Sequence, residues 1–297
     1  VPPPSRVLIR RTTTNASLAL PALWQFPPPS SIASLMILEA LNYAASAALT
    51  PASFRPFIGG SVRLWARARR CAKAWAPHEA QCHAAVEAMV AEMKQRRTVV
   101  VLGSGLLRDV PVKALSRAFD TVVLVDLVHL ASIRAWLALN GIRNAKLISR
   151  DLSGAQAILA GLPAEPLAFL RQVPALDLVI SANILSQMPI GLRRSLEGQG
   201  RPIEEATLSR IVDAHLEGLA SLPCRRLLLT DCDYTVRDRA GTVVETADLL
   251  LGNTLPPEEA EWIWPVAPFG EEGRDIEILH RVVAVRDPGA GTRPAVR

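Results

Sequence analysis

The spacing of apolar positions changes near residue 98, and the change divides the chain. Over residues 31–49, Ile32, Leu35, Leu38 and Leu41 recur at near-helical spacing, with Ser30 or Ser31 placed to cap the start. Residues 61–96 predict a second helical region, broken at Pro77; its later part puts Cys82, Val86, Met89 (or Val90) and Met93 on one stripe. From Thr98 onward, short β-branched runs alternate with helical patterns. The runs are TVVVLG (98–103), TVVLVDL (121–127), AKLIS (145–149), LDLVIS (176–181) and RRLLLTD (225–231), and the helical patterns are Val110–Phe119, His129–Leu139 and Ile203–Leu222. Near-continuous apolar strands separated by helices predict an α/β fold: a doubly wound, mostly parallel sheet covered on both faces.

Composition narrows this picture. Of 297 residues about half are apolar and a fifth charged, which excludes collagen-like, coiled-coil and disulfide-scaffold chains. Residues 1–30 and 287–297, with VPPPS, FPPPSS and DPGAG, read as disordered tails. Residues 1–70 carry eight arginines against Glu39 alone, whereas the remainder has 25 basic and 27 acidic side chains. The basic excess therefore lies outside the predicted sheet and gives no support to a nucleic-acid partner. Residues 31–49 are long enough to span a bilayer but hold Glu39 and Asn42, so a packing helix is expected and no membrane span. Cys71, Cys82, Cys224 and Cys232 form no CxxC pair, which points to a reducing, cytoplasmic compartment.

The sharpest chemical signal is VVVLGSGLLRD at 99–109. An apolar strand runs into Gly103-Ser104-Gly105, where glycines permit a tight turn and let backbone N–H groups approach a ligand. A helix expected soon afterwards would add the positive end of its dipole. The second strand ends at Asp126, 21 residues after Gly105, where a carboxylate can accept hydrogen bonds from ribose hydroxyls or cap the next helix. The third leads to Asp151, able to meet an adenine edge or cap a turn, and the fourth places Asn183 at its end. All four features fall at C-terminal strand ends, where open α/β sheets bind ligands.

These residues resemble the class I S-adenosylmethionine-dependent methyltransferases over roughly residues 98–286. The resemblance implies a Rossmann-like sheet whose last strand is antiparallel, with EWIWPVAP (261–268) and DIEILHRVVAVRD (275–287) as the final pair, behind an N-terminal helical extension at 31–97. It implies S-adenosylmethionine as cofactor, with Leu102, Gly103, Ser104 and Gly105 beside its methionine part. Asp126 and Leu127 would lie on the ribose side, Asp151 and Leu152 near adenine, and Asn183 would face both cofactor and substrate. Asn183 and Gln187 are similar to an Asn-x-x-x-His pattern of some small-molecule methyltransferases, with Gln187 in place of the histidine. The sequence also departs from the family where Leu107 stands in place of a third glycine, and Val100 and Val101 replace an acid before the turn. A nicotinamide fingerprint, G-x-G-x-x-G, would need glycine at Arg108.

Other clusters admit plainer roles. His78 and Cys82 share a helix face, but no second ligand pair stands nearby, so no metal is expected. Trp75 and His78, ahead of the first strand, are candidates for a lid. Asp231, Asp233 and Tyr234 follow the fifth strand on the substrate side, where they would position a nucleophile or simply form turns. Trp262 and Trp264 point to one sheet face and read as core, and His215 as a packing or surface residue. The expected activity is methyl transfer to a small molecule. The alternatives are a non-catalytic binding or assembly protein on the same domain, or an RNA methyltransferase.

Overall fold

A computed structural model describes residues 32–288, so the two predicted tails, save residues 287 and 288, and the proposed Ser30 or Ser31 cap lie outside the described residues. Three N-terminal helices come first, α1 (Ile32–Leu49), α2 (Ile58–Arg70) and α3 (Ala72–Glu92). The sheet domain follows with β1 (Thr98–Leu102), α4 (Val112–Ala118), β2 (Thr121–Asp126), α5 (Ala131–Leu139), β3 (Ala145–Ser149), α6 (Ala155–Leu159) and β4 (Leu176–Ala182). Helices α7 (Gln187–Glu197) and α8 (Glu205–Ala220) lead to β5 (Arg225–Asp238), β6 (Val243–Asp248), β7 (Ala260–Ala267) and β8 (Ile276–Arg286).

The strands form one sheet in the order β3-β2-β1-β4-β5-β8-β7, with β6 paired to an extension of β5. Neighbours from β3 to β5 run parallel, and β8 is antiparallel to both β5 and β7. The strand chemistry explains the layering. All five residues of β1 are buried. Val99 and Val101 pack toward Val86 and Met89 of α3 and Ile133 of α5, whereas Val100 and Leu102 pack toward Leu208 and Ile211 of α8. Alternation along a pleated strand thus fills two cores from one apolar run.

Helix α1 docks through its polar residues. Asn42 Oδ1 accepts the backbone N–H of Ser132 at 3.1 Å, and Ser46 Oγ accepts that of Ala131 at 2.8 Å. These donors open α5, which has no side-chain cap of its own, so α1 satisfies a helix end from another element. The opposite side of α1 leaves Met36, Ile37 and Leu41 exposed. Among the described residues no helix is long and apolar enough to cross a membrane.

Two expectations need correction. Pro77 does not break α3, which runs from Ala72 to Glu92. The carbonyl left without a helical partner is that of Lys73, on an exposed turn where water can replace the bond. The helix after the glycine turn starts only at Val112, has seven residues and no side-chain cap. Its dipole therefore does not act on Gly103 or Gly105. Helices α6 and α7 and strand β6 were not foreseen from periodicity.

Two stability tests follow. Asp177 anchors the start of β1: its carboxylate accepts Arg97 N at 2.7 Å and pairs with the guanidinium at 2.6 Å. The Arg97 side-chain hydrogen bonds hold Asp177 below the usual carboxylate range. A depressed folded-state value means that stability is present above the unfolded value of about 3.9 and lost as pH falls through the folded one. Thermal melts should therefore show Asp177→Asn less stable than wild type at neutral pH, with the gap closing on acidification below about pH 4. In the glycine turn, an added Cβ at Gly103 (φ +72°) would lie 2.5 Å from Ile184 Cβ and 2.9 Å from the Ala182 carbonyl, whereas at Gly141 (φ +67°) it meets nothing within 4 Å. Urea denaturation should show Gly141→Ala costing about 1 kcal/mol and Gly103→Ala at least about 2 kcal/mol more.

Candidate functional site

The sheet order reverses between β1 and β4, since the chain leaves through β2 and β3 and returns on the other side of β1. That reversal opens a crevice at the C-terminal ends of β1 and β4. Gly103 and Gly105 both adopt positive φ there, and so does Leu107, at φ 59°. Leu107 thus keeps the backbone conformation that a third glycine would adopt freely, at a cost of about 1–2 kcal/mol, and its buried side chain packs into the core beneath α3.

The half-buried Asp126 lies across the turn. Its Oδ2 accepts Gly105 N–H at 2.7 Å and its Oδ1 accepts Leu127 N–H at 2.7 Å. Burial holds the carboxyl above its ordinary range, against the pull of the Gly105, Val128 and Leu127 N–H groups and of His129. Three buried polar atoms in this region have no partner: Ser104 Oγ in the turn, Asn183 Oδ1, and Nδ1 of His129, whose Nε2 bonds the Ile148 carbonyl at 3.1 Å. Asp151 is exposed and its Oδ1 accepts the N–H and hydroxyl of Ser153, while Leu152 is buried in the α8-side core. Asn183 has φ 47° and is buried, and Gln187 donates to its carbonyl oxygen at 2.5 Å.

Helix α3 faces this edge with Trp75, His78 and Cys82. Trp262 on β7 donates its indole N–H to His78 Nδ1 at 2.9 Å, so the neutral imidazole carries its proton on Nε2. Nε2 lies 3.4 Å from Asp109 Oδ1 and 3.3 Å from Asn183 Nδ2. Being donors, both nitrogens converge on the Asp109 carboxylate. Burial raises Asp109, but these two donors outweigh it and leave the group below its usual range. His78, Cys82 and Asp109 also lie close enough together to suggest a metal site. The tautomer argues otherwise, because Nε2 has no lone pair to give, and burial pushes the Cys82 thiol far up and keeps it protonated. Arg108 ties the same loop to α3, pairing with Glu79 at 2.6 Å and accepting His83 Nε2 on its carbonyl at 2.8 Å.

An aromatic wall continues along the sheet. Trp264 stacks on His78 with ring centres 4.0 Å apart and meets Trp75 edge-on at 5.2 Å. Asp231, Asp233 and Tyr234 do not share one face. A bulge in β5 pairs Asp231 with Val282 and Tyr234 with His280, both toward α3, and turns Asp233 with Arg281 to the other side. Asp231 accepts His280 Nδ1 at 2.6 Å and the Ser186 hydroxyl. Tyr234 donates to Glu245 and lines a cavity of about 430 Å³ with Asp233, Thr246, Asp248 and Arg281. His215 is buried in α8 against Ser181 at 2.9 Å, and burial lowers it to about 4. Of the site residues His280, Ser186, Asp109 and His129, none of which was among the predicted candidates, only His280, the lone histidine of the last strand inside an apolar run, carries a signal in the sequence.

No protein-family model matches the chain, and no curated protein does. Solved structures do. The N-methyltransferase NodS from Bradyrhizobium japonicum, in complex with S-adenosyl-L-homocysteine, is 12% identical over 86% of this chain and 98% of its own, with a TM-score of 0.35. An O-methyltransferase family protein from Burkholderia thailandensis is 15% identical over 67% of this chain and 52% of its own, with a TM-score of 0.32. An rRNA methylase from Streptococcus thermophilus is 11% identical over 65% of this chain and 90% of its own, with a TM-score of 0.27. Likenesses this distant say nothing of activity. The strand order, the reversed β8 and the N-terminal helices are the features that count, and they give this chain the fold of the class I S-adenosylmethionine-dependent methyltransferases.

Proposed function

We propose that the chain binds S-adenosylmethionine across the ends of β1, β2 and β4 and methylates a small molecule. The observation that carries this reading is the Gly103–Gly105 turn bonded to Asp126 at the reversal of the strand order. The residues present suit the group: Asp126 offers acceptors for ribose hydroxyls, Gly103 admits no side chain, and Ser104 Oγ and His129 Nδ1 are buried without partners. In this reading Leu102, Gly103, Ser104 and Gly105 hold the amino-acid end, Asp126 and Leu127 lie on the ribose side, Asp151 and Leu152 near the base, and Asn183 between donor and acceptor. Bound there, the sulfonium supplies an electrophilic methyl group and a neutral thioether leaving group.

The chain's own part is alignment and exclusion of water. We assign the catalytic unit to residues 98–286 and the covering segment to 31–97, with Trp75 and His78 on its inner side. Asp231 and Tyr234 belong on the acceptor side, whereas Asp233 and Gln187 are engaged elsewhere, with Arg281 and the Asn183 carbonyl. A cytoplasmic location rests on the four free cysteines. A second reading, a non-catalytic assembly protein, draws on the ties between α3 and Arg108 and Asp109, which hold the loop after the glycine turn.

Isothermal calorimetry with S-adenosylhomocysteine separates the two. Stoichiometric binding is expected, weakened at least about ten-fold by Asp126→Ala, or about 1.4 kcal/mol. No heat of binding from the wild type would favour the second reading, and undiminished binding by the variant would remove Asp126 from the site.

A further inference from the structure

Ser186, Asp231 and His280 form a chain of hydrogen bonds on the α3 face of the sheet. Asp231 is buried, and each of its oxygens is engaged, Oδ1 by the Ser186 hydroxyl and Oδ2 by His280 Nδ1 at 2.6 Å. The carboxylate therefore cannot rotate freely, and it holds the proton of the imidazole on Nδ1. His280 Nε2 then carries the lone pair. It has no hydrogen-bond partner among the described residues, and 16% of the side chain remains open to solvent. Tyr234 stacks on the ring at 5.8 Å, and Trp264 meets it edge-on at 6.0 Å. The ionisable groups facing it are Asp231 and Tyr234 from β5, with Glu245 of β6 behind Tyr234 and His78 of α3 behind Trp264. Unlike the unpartnered Nδ1 atoms of the buried His129 and His215, Nε2 belongs to a ring that reaches solvent.

We infer that His280 is the proton acceptor for the methyl acceptor, its tautomer and ring orientation set by Asp231 as a positioning residue, and that the acceptor is a flat aromatic ring bearing a hydroxyl. This rests on the methyltransferase reading above and adds its substrate class. The O–H bond breaks, the proton forms a new N–H bond at Nε2 and the electron pair stays on the acceptor oxygen, which would bond to the methyl carbon as the carbon–sulfur bond breaks and its pair leaves on the thioether. The resulting imidazolium faces the Asp231 carboxylate and later returns its proton to water. A hydroxyl needs this help because un-ionised oxygen is a poor nucleophile, and the aromatic rings packed around the imidazole suit a planar partner.

The first test needs no cofactor. Diethyl pyrocarbonate acylates an unprotonated, accessible imidazole nitrogen; His78, His129 and His215 are buried, and the partly exposed His83, held through Nε2 on the Arg108 carbonyl, serves as the internal reference. Peptide mass spectrometry of the acylated protein should find His280 modified. In Asp231→Asn, Ser186 keeps the amide oxygen, so the amide N–H₂ faces His280 Nδ1 and moves the imidazole proton to Nε2. Acylation of His280 should then slow at least about ten-fold with an unchanged circular dichroism spectrum; equal rates in the two proteins overturn the assignment. The second test uses S-adenosylmethionine with two phenols. His280→Gln should lose about a hundred-fold in kcat with 4-methylphenol, which stays protonated and needs a base, and under about ten-fold with 4-nitrophenol, already ionised in mildly alkaline buffer. Equal losses overturn the role of His280, and no wild-type turnover of either phenol overturns the acceptor class. Failure of S-adenosylhomocysteine to bind would sink the underlying reading and the acceptor with it, while the acylation result would still report the state of Nε2.

Discussion

The contact on which the site depends is the hydrogen bond from Gly105 N–H to Asp126. It joins the loop after β1 to the end of β2, so two strands that are neighbours in the sheet also share one rim. A carboxylate at the head of a parallel strand must find donors when it is drawn inside, and backbone N–H groups supply them here. The same donors are directional, which fixes the oxygens toward the crevice. Gly103 completes the arrangement: the loop lies so close to Ile184 and the Ala182 carbonyl that only a residue without a side chain can occupy it.

The second determinant is an aromatic layer between helix and sheet. Trp75, Trp262 and Trp264 join α3 to the antiparallel end of the sheet, with His78 stacked among them. The indole of Trp262 selects the imidazole tautomer, the tautomer selects Asp109 as its partner, and Asp109 belongs to the loop that follows the glycine turn. A packing interface thereby sets the proton positions of a polar one. Neutral rings do this at modest cost in a place where a charged pair would carry a desolvation penalty.

Much of the framework was legible in the residues because burial on both faces leaves a plain trace. TVVVL and LDLVIS could hardly be anything but central strands, and the glycine pair and Asp126 marked their ends. The antiparallel closure came from family resemblance, and the sheet has it. Less visible was whatever depended on partners far away in the chain. Asn42 counted only against a membrane span, yet with Ser46 it caps α5, some 85 to 90 residues away. Pro77 read as a break because the sequence does not say which side of a helix meets water. Asp231 gave no sign of its histidine, 49 positions on, since strand pairing brings the two together and a bulge decides their facing.

That bulge acts as a phase shift in β5. Before it, side chains keep step with the parallel strands; beyond it, they keep step with the closing hairpin. One surplus residue, Cys232, lets a single strand belong to two frames of reference. Losing or gaining one position there would carry Tyr234 to the far side without disturbing a single residue of the glycine turn. The β5 side of the crevice is thus free to change its lining by small insertions, while the side built on the glycine turn stays as it is.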